Sequence, residues 1–258
     1  MGRFLRVAGL TDVGCEREHN EDSFGLLPQY NLFIVADGMG GHRAGDVASQ
    51  MAVRSVEEFF SATEKEDITW PFQFDPNLPF SVNRFITAVQ VANNRIFKES
   101  ASSDEHQGMG TTFVGLLSVD DHALCHVAHV GDSRCYRVRQ DHLDLLTSDH
   151  SLVNDYLRAA PDLTAEQLAE LPRNVITRAL GMQDTVLVDI QSVVPEPGDV
   201  FVLCSDGLNG MIDDGTILDV ILKHRGDLAA AAASLIQSAC AAGGEDNCTV
   251  VLVEFAED

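Results

Sequence analysis

Three apolar runs of strand length each deliver the chain straight into an acidic turn. Leu32-Phe33-Ile34-Val35-Ala36 ends on Asp37-Gly38, Val127-Ala128-His129-Val130 on Gly131-Asp132, and Val200-Phe201-Val202-Leu203-Cys204 on Ser205-Asp206-Gly207. Continuous apolar runs this short read as strands covered on both faces. A carboxylate cannot stay charged in such surroundings without a partner. Three acids at the tips of three core strands can converge on one edge of a sandwich. Asn20-Glu21-Asp22 and Glu245-Asp246-Asn247 add two more acidic turns. A single Asp-Gly is ordinary turn chemistry, but hairpin turns do not require this arrangement five times.

The remaining patterning supplies the other layers. Strand signal covers Phe4 to Asp12, Ser23 to Leu27, Leu32 to Asp37, Thr111 to Val119, Ala123 to Val130, Cys135 to Val138, Val186 to Val193, Val200 to Ser205 and Cys248 to Phe255. Helical spacing covers Ala44 to Phe60, Val82 to Phe97, Thr216 to Leu222 and Leu228 to Ala241, with apolar residues three and four apart. The expected fold is α+β: a four-layer αββα arrangement in which two mainly antiparallel sheets form a sandwich flanked by helices. A chain of 258 residues fits one such domain spanning 1–258. The stretch 148–177 lacks strand signal and reads as an appended flap. The stretch 62–80, with its Trp70-Pro71 and Asp75-Pro76 steps, reads as a surface excursion to which no function is assigned.

Charge narrows the partners. Lys plus Arg is 17 against 40 Asp plus Glu, a formal charge of −23, and no basic cluster exists to displace counterions, so nucleic acid and anionic membranes are not expected partners. No apolar run reaches the length of a membrane helix, and the N-terminus lacks the features of an export signal. Arg6 stands where a myristoylation start needs Ser or Thr. The six cysteines form no CxxC and mostly lie in apolar segments, as expected of a reducing compartment. A cytoplasmic enzyme is the expectation.

If the acids converge, each pair at ~4 Å repels by about 4 kcal/mol at an effective dielectric of 20. Hard cations such as Mg²⁺ or Mn²⁺ take carboxylate, carbonyl and water oxygens, whereas no His/Cys set suggests zinc. His126 and His129 stand at odd separation, which on a strand sends their rings to opposite faces. The glycines after Asp37 do not open a dinucleotide site, because an acid stands where phosphate belongs. They let a backbone carbonyl reach a metal instead. No twelve-residue calcium loop is present. Arg17, a cation close to Glu21 and Asp22, can fork onto phosphate oxygens; its alternative is a surface ion pair with Glu16 or Glu18. Arg134 is expected to buttress a carboxylate.

Eight motifs carry a resemblance: Arg17-x-x-Asn20-Glu21-Asp22, Asp37-Gly38-Met39-Gly40-Gly41-His42, Gly108-Met109-Gly110-Thr111-Thr112, Val130-Gly131-Asp132-Ser133-Arg134, Leu146-Thr147-Ser148-Asp149-His150-Ser151, Ile176-Thr177-Arg178-Ala179-Leu180-Gly181, Cys204-Ser205-Asp206-Gly207-Leu208 and Asp246-Asn247-Cys248-Thr249-Val250. In that order they resemble the metal-dependent, type 2C protein serine/threonine phosphatases, particularly the bacterial branch. The resemblance implies two Mn²⁺ or Mg²⁺ ions, bridged by Asp37, with the Gly38 carbonyl completing one and Asp206 and Asp246 holding the other. Glu21 and Asp22 match acids that bind or orient metal waters. Asp132 matches the acid of a third, weaker ion, and Arg17 the substrate phosphate binder.

It also implies phosphorylated proteins as partners, among them a Ser/Thr kinase and its substrates. The reaction is expected to be direct attack on phosphoseryl or phosphothreonyl esters by a water that the ion pair acidifies. Many relatives carry a histidine where Met39 stands, so the leaving-group acid is open between a metal-bound water and His42. The alternative for the whole chain is a catalytically silent, regulatory phosphatase-like binding module, against which the intact Asp37, Asp206 and Asp246 argue.

Overall fold

The period-two alternation of side chains along the strands decides how the layers stack. The computed structural model describes residues 3–40, 44–64, 70–72, 74–160, 167, 171–172 and 175–257. Along them run β1 (Arg3–Asp12), β2 (Asp22–Leu27), β3 (Leu32–Met39), α1 (Ala44–Ala62), α2 (Phe80–Ser102), β4 (Gly110–Thr111), β5 (Phe113–Val119), β6 (Leu124–Val130), β7 (Arg134–Arg139) and β8 (His142–Leu145). Then follow α3 (Leu152–Ala159), β9 (Asp189–Val193), β10 (Val200–Cys204), α4 (Asp206–Asn209), α5 (Asp214–Lys223), α6 (Leu228–Ala241) and β11 (Cys248–Glu257). One sheet has the order β1-β11-β10-β7-β8, the other β2-β3-β5-β6-β9, with β4 paired to β3. Every recorded pairing is antiparallel.

Phe33 and Val35 of β3 meet Phe201 and Leu203 of β10 and Val251 and Val253 of β11 in the layer between the sheets. The alternate residues Leu32, Ile34 and Ala36 turn outward under α1 and α2. Val200, Val202 and Cys204 turn the other way, under α5 and α6. Each of these side chains is buried on a different interface, which is why the runs show no polar alternation. Burial of each Val, Leu, Ile or Phe among them stabilises by roughly 1.5–3 kcal/mol. The expected four layers are thus present.

Part of the acid excess is structural. Asp213 caps α5 by accepting from the Thr216 N–H at 2.8 Å, and Asp227 caps α6 by accepting from the Ala230 N–H at 3.0 Å, each satisfying a donor that the first turn leaves free.

Four local expectations need correction. The strand expected over Thr111 to Val119 is broken at Thr112, because Gly110 and Thr111 pair with Met39 and Gly38 while Phe113 onward pairs with β6. Asp37 does not end its strand, which continues to Met39 by virtue of that same pairing. The strand expected from Val186 begins only at Asp189, where pairing with His129 starts. The short β8 was not anticipated; its sequence His-Leu-Asp-Leu alternates over too few residues to stand out. Within 148–177, the described part includes α3, capped by the Ser151 hydroxyl accepting from the Asn154 N–H at 3.4 Å, and a bridge between Ser151 and Ile176. Among the described residues no helix is long and apolar enough to cross a membrane.

Candidate metal centre

Antiparallel registry places Asp22 directly opposite Asp37 on neighbouring strands, so two carboxylates face each other across the ladder. Like charges so placed destabilise a sheet. Asp22 is held from the second sheet: its Oδ2 accepts from the Ser205 hydroxyl at 2.7 Å and from the Thr249 hydroxyl at 2.7 Å. Its Oδ1 is buried without a donor. Asp37 is fixed through its backbone, whose N–H donates to Thr112 Oγ1 at 2.9 Å and whose carbonyl accepts from Thr111 Oγ1 at 2.8 Å.

The other acids arrive on loops at the same end of the sandwich. Asp206 opens α4 directly after β10, and its carboxyl group lies within hydrogen-bonding reach of Asp37. Asp132 follows β6, with a buried Oδ1 that also lacks a donor. Asp246 lies just ahead of β11, and its Oδ2 accepts from Arg17 Nη2 at 2.7 Å. Glu21 precedes β2, with its backbone N–H donating to Asn247 Oδ1 at 2.7 Å.

Burial pushes the Asp37 carboxyl well above the usual range, reinforced by the charges of Asp22, Asp206, Asp132 and Asp246. Burial likewise raises Asp22 to about 7, even against its two hydroxyl donors, with Asp206 and Asp246 adding to the rise. Asp132 is also pushed up to about 7, by burial and then by Asp206 and Asp149. Asp206 is raised by burial and by Asp246, and Glu21 by burial. Acids that raise one another belong to one centre. Together with the orphaned oxygens of Asp22 and Asp132, they form an all-oxygen donor set whose negative charge Arg17 offsets only in part, the environment that hard divalent ions require.

Close backbone approach draws the acidic loops together. A Cβ on Gly38 would lie 2.1 Å from the Gly45 carbonyl oxygen and 2.4 Å from that of Glu21, and one on Gly207 would lie 2.0 Å from the Asn247 carbonyl oxygen. Asn247 ties the loops together, donating from Nδ2 to the carbonyls of Val13 and His19, both at 2.9 Å. Gly38→Ala is expected to cost about 3 kcal/mol through forced displacement of packed backbone, read as a fall in melting temperature. Gly215→Ala, where the nearest atom stands 3.6 Å away, is the matched control and is expected to leave stability equal or higher. Equal melting of both variants would contradict this packing.

The structure brings together Arg17, Glu21, Asp22, Asp37, Gly38, Asp132, Asp206 and Asp246. His42 lies outside the described residues, and Met39, which is described, has no proton to give. Arg17 pairs with Asp246 rather than with Glu16 or Glu18. Arg134 does buttress a carboxylate, but that of Asp149, to which Nε donates at 3.0 Å and Nη2 at 2.7 Å.

The histidines hold one surprise. His126 and His129 have separate partners as expected, His126 bonding Ser81 and Ser192 and His129 the Ser148 carbonyl. His129, however, also stacks on His150, with Asp189 nearby, and one donor atom from each of the three falls within 4.8 Å of the others. No sequence spacing announces this group. It is already neutralised: Arg178 Nη1 lies 2.9 Å from His150 Nε2 and 2.6 Å from Asp189 Oδ1. What the sequence left unmarked are Ser205 and Asn247 as organisers. Their roles depend on contacts between distant segments, and their only local signal is their position beside Asp206 and Asp246.

Comparison with known proteins agrees with this geometry. A protein-family model described as protein phosphatase 2C matches residues 16–240. The serine/threonine phosphatase Stp of Listeria monocytogenes is 39% identical over 253 residues, covering 95% of this chain and 93% of its own. The serine/threonine phosphatase of S. agalactiae superposes with a TM-score of 0.83 at 36% identity, covering 98% of this chain and 100% of its own. The catalytic domain of the phosphatase PstP, solved with two manganese ions, superposes with a TM-score of 0.80 at 30% identity over 99% of this chain and all of its own.

Proposed function

This chain belongs to the protein phosphatase 2C family, and on that premise we propose that its acidic cleft holds a phosphoseryl or phosphothreonyl group between divalent ions and Arg17. The chain is a metal-dependent serine/threonine phosphatase, a hydrolase acting on phosphorylated proteins with Mn²⁺ or Mg²⁺ as cofactor. The observation that carries the assignment to this cleft is the set of mutually raised acids, two of them with orphaned oxygens. Asp37, the Gly38 carbonyl, Asp206 and Asp246 would hold two ions, Glu21 and Asp22 would bind or orient water there, and Asp132 would serve a third ion. Bound there, such ions acidify a water and neutralise phosphoryl charge. The silent-module alternative has no support in the relatives, whose names describe phosphatases.

Each residue's task follows from its setting. Ser205 and Thr249 occupy one oxygen of Asp22 and so aim the other into the cleft. Arg17 is half-exposed and spends one nitrogen on Asp246, leaving other donors of its five for phosphoryl oxygens. The excess negative charge of the chain disfavours acidic surroundings at the phosphosite, and the flap 148–177 is proposed to add to this selection. We place the enzyme opposite a Ser/Thr kinase in a bacterial cytoplasm, a reading supported by its six free cysteines and its relatives.

Hydrolysis of a phosphothreonine peptide tests the reading. Turnover is expected with Mn²⁺ and not with chelator. Arg17→Ala is expected to lower kcat/KM by roughly 10–100-fold, the worth of a charge-assisted hydrogen bond to phosphate, with KM carrying much of the change. Equal turnover with and without metal would refute the mechanism.

A further inference from the structure

Two of the six cysteines stand apart from the rest. Cys125, Cys135, Cys204 and Cys248 are buried within strands, whereas Cys15 is exposed and Cys240 partly so. Cys15 sits on the loop after β1 and Cys240 in the last turn of α6, yet they share one small neighbourhood. The Cys15 N–H donates to the Gly244 carbonyl at 2.7 Å, and its Sγ lies 3.8 Å from the Cys240 carbonyl oxygen. The Cys240 thiol, whose electrostatic surroundings include the Cys15 thiol, lies 3.9 Å from Asp12 Oδ1. The loop is seated firmly there: a Cβ on Gly14 would lie 2.3 Å from the Asp246 carbonyl oxygen.

We propose that Cys15 and Cys240 are a peroxide-oxidised thiol pair, a disulfide site that couples oxidation to the Arg17–Asp246 end of the cleft. The more exposed Cys15 reacts first. Its sulfur attacks one oxygen of hydrogen peroxide, the O–O bond breaks, and the departing hydroxide takes the thiol proton to leave as water and a sulfenic acid. The Cys240 sulfur then attacks the Cys15 sulfur, the S–O bond breaks, and a second water leaves with the Cys240 proton. The two thiols together lose two electrons and the peroxide gains them. A dithiol reductant reverses the step. Burial, then the Asp12 carboxylate, raises the Cys240 thiol, in keeping with its role as the second, resolving partner.

Coupling follows from the chain path. Cys15 is two residues from Arg17 and Cys240 is six from Asp246, and Arg17 and Asp246 are themselves joined at 2.7 Å. A disulfide holds its two sulfurs at ~2.05 Å, so forming one draws the Arg17 loop toward α6. The thiol chemistry stands alone; its effect on turnover rests on the phosphatase reading.

The test treats the full-length, Mg²⁺-loaded protein with hydrogen peroxide, removes the oxidant with catalase, alkylates, and maps peptides by mass spectrometry. A Cys15–Cys240-linked peptide is expected, lost on dithiothreitol treatment and absent from Cys15→Ser and Cys240→Ser. Oxidation is expected to raise KM for a phosphothreonine peptide roughly tenfold, as a displaced binding group does, with a smaller change in kcat, reversed by dithiothreitol. Cys15→Ser is expected to keep basal activity and to be insensitive to peroxide. Recovery of Cys15 and Cys240 as separate alkylated or sulfinic peptides would overturn the site, and a linked protein with unchanged KM would overturn the coupling. Absence of turnover in the reduced, metal-loaded protein would instead strike the phosphatase reading, while the peptide map still decides the thiol pair.

Discussion

Asp37→Asn and Asp206→Asn are each expected to reduce hydrolysis of a phosphothreonine peptide by at least about 10³-fold in kcat/KM, equivalent to about 4 kcal/mol of lost transition-state stabilisation. The two side chains lie within hydrogen-bonding reach of each other at the centre of the acidic cluster, and Asp37 feels four other carboxylates. An amide keeps the shape but supplies one neutral oxygen where a charged one stood, so it weakens cation binding most at the residue shared by the most neighbours. Removing a negative charge from a self-repelling cluster also relieves the metal-free protein, so these variants are expected to melt no lower than the parent in chelator. Loss of activity with undiminished stability separates a role at the centre from a folding defect. Activity within tenfold of the parent in both variants would rule out the proposed ligand set.

Much of that centre was legible because the sequence states it locally. Each apolar run ending on an acid marks a strand and its tip, and Asp37, Asp132 and Asp206 are found where those runs place them, apart from the two-residue extension of β3 past Asp37. What the runs could not reveal was registry. That Asp22 faces Asp37 depends on the length of the turn between β2 and β3, and that Ser205 and Thr249 hold Asp22 depends on two sheets packing at one offset. The His129–His150–Asp189 group was invisible for the same reason, since its members come from a strand, a loop and another strand. The sequence marks Arg134 as a buttress without saying of which carboxylate, because the register of the β7–β8 hairpin, which brings Asp149 beside it, is not written locally.

Metal is expected to stabilise this protein more at pH 7.5 than at pH 5.5, by roughly 3 kcal/mol, or on the order of 10 °C in melting temperature. The sign follows from the raised acids. Asp22 and Asp132 titrate near 7 in the folded protein against an ordinary value of 3.8, so the folded chain without metal binds more protons than the unfolded chain between those limits. That contribution is fully present below about pH 4 and is lost as pH rises through about 7. Cations reverse the trend, because each proton given up frees an oxygen for the ion and affinity grows with pH. Four histidines act in the opposite sense: desolvation lowers the buried His126, His129 and His150 and the partly buried His122, so their contribution to stability is lost as pH falls below their ordinary range. They are common to both conditions, so the difference between Mn²⁺ and chelator at each pH isolates the carboxylates. Thermal melts at the two pH values, with Mn²⁺ or chelator, measure it directly. A metal-induced increment that is equal at both pH values, or larger at pH 5.5, would mean that these acids do not share a cation.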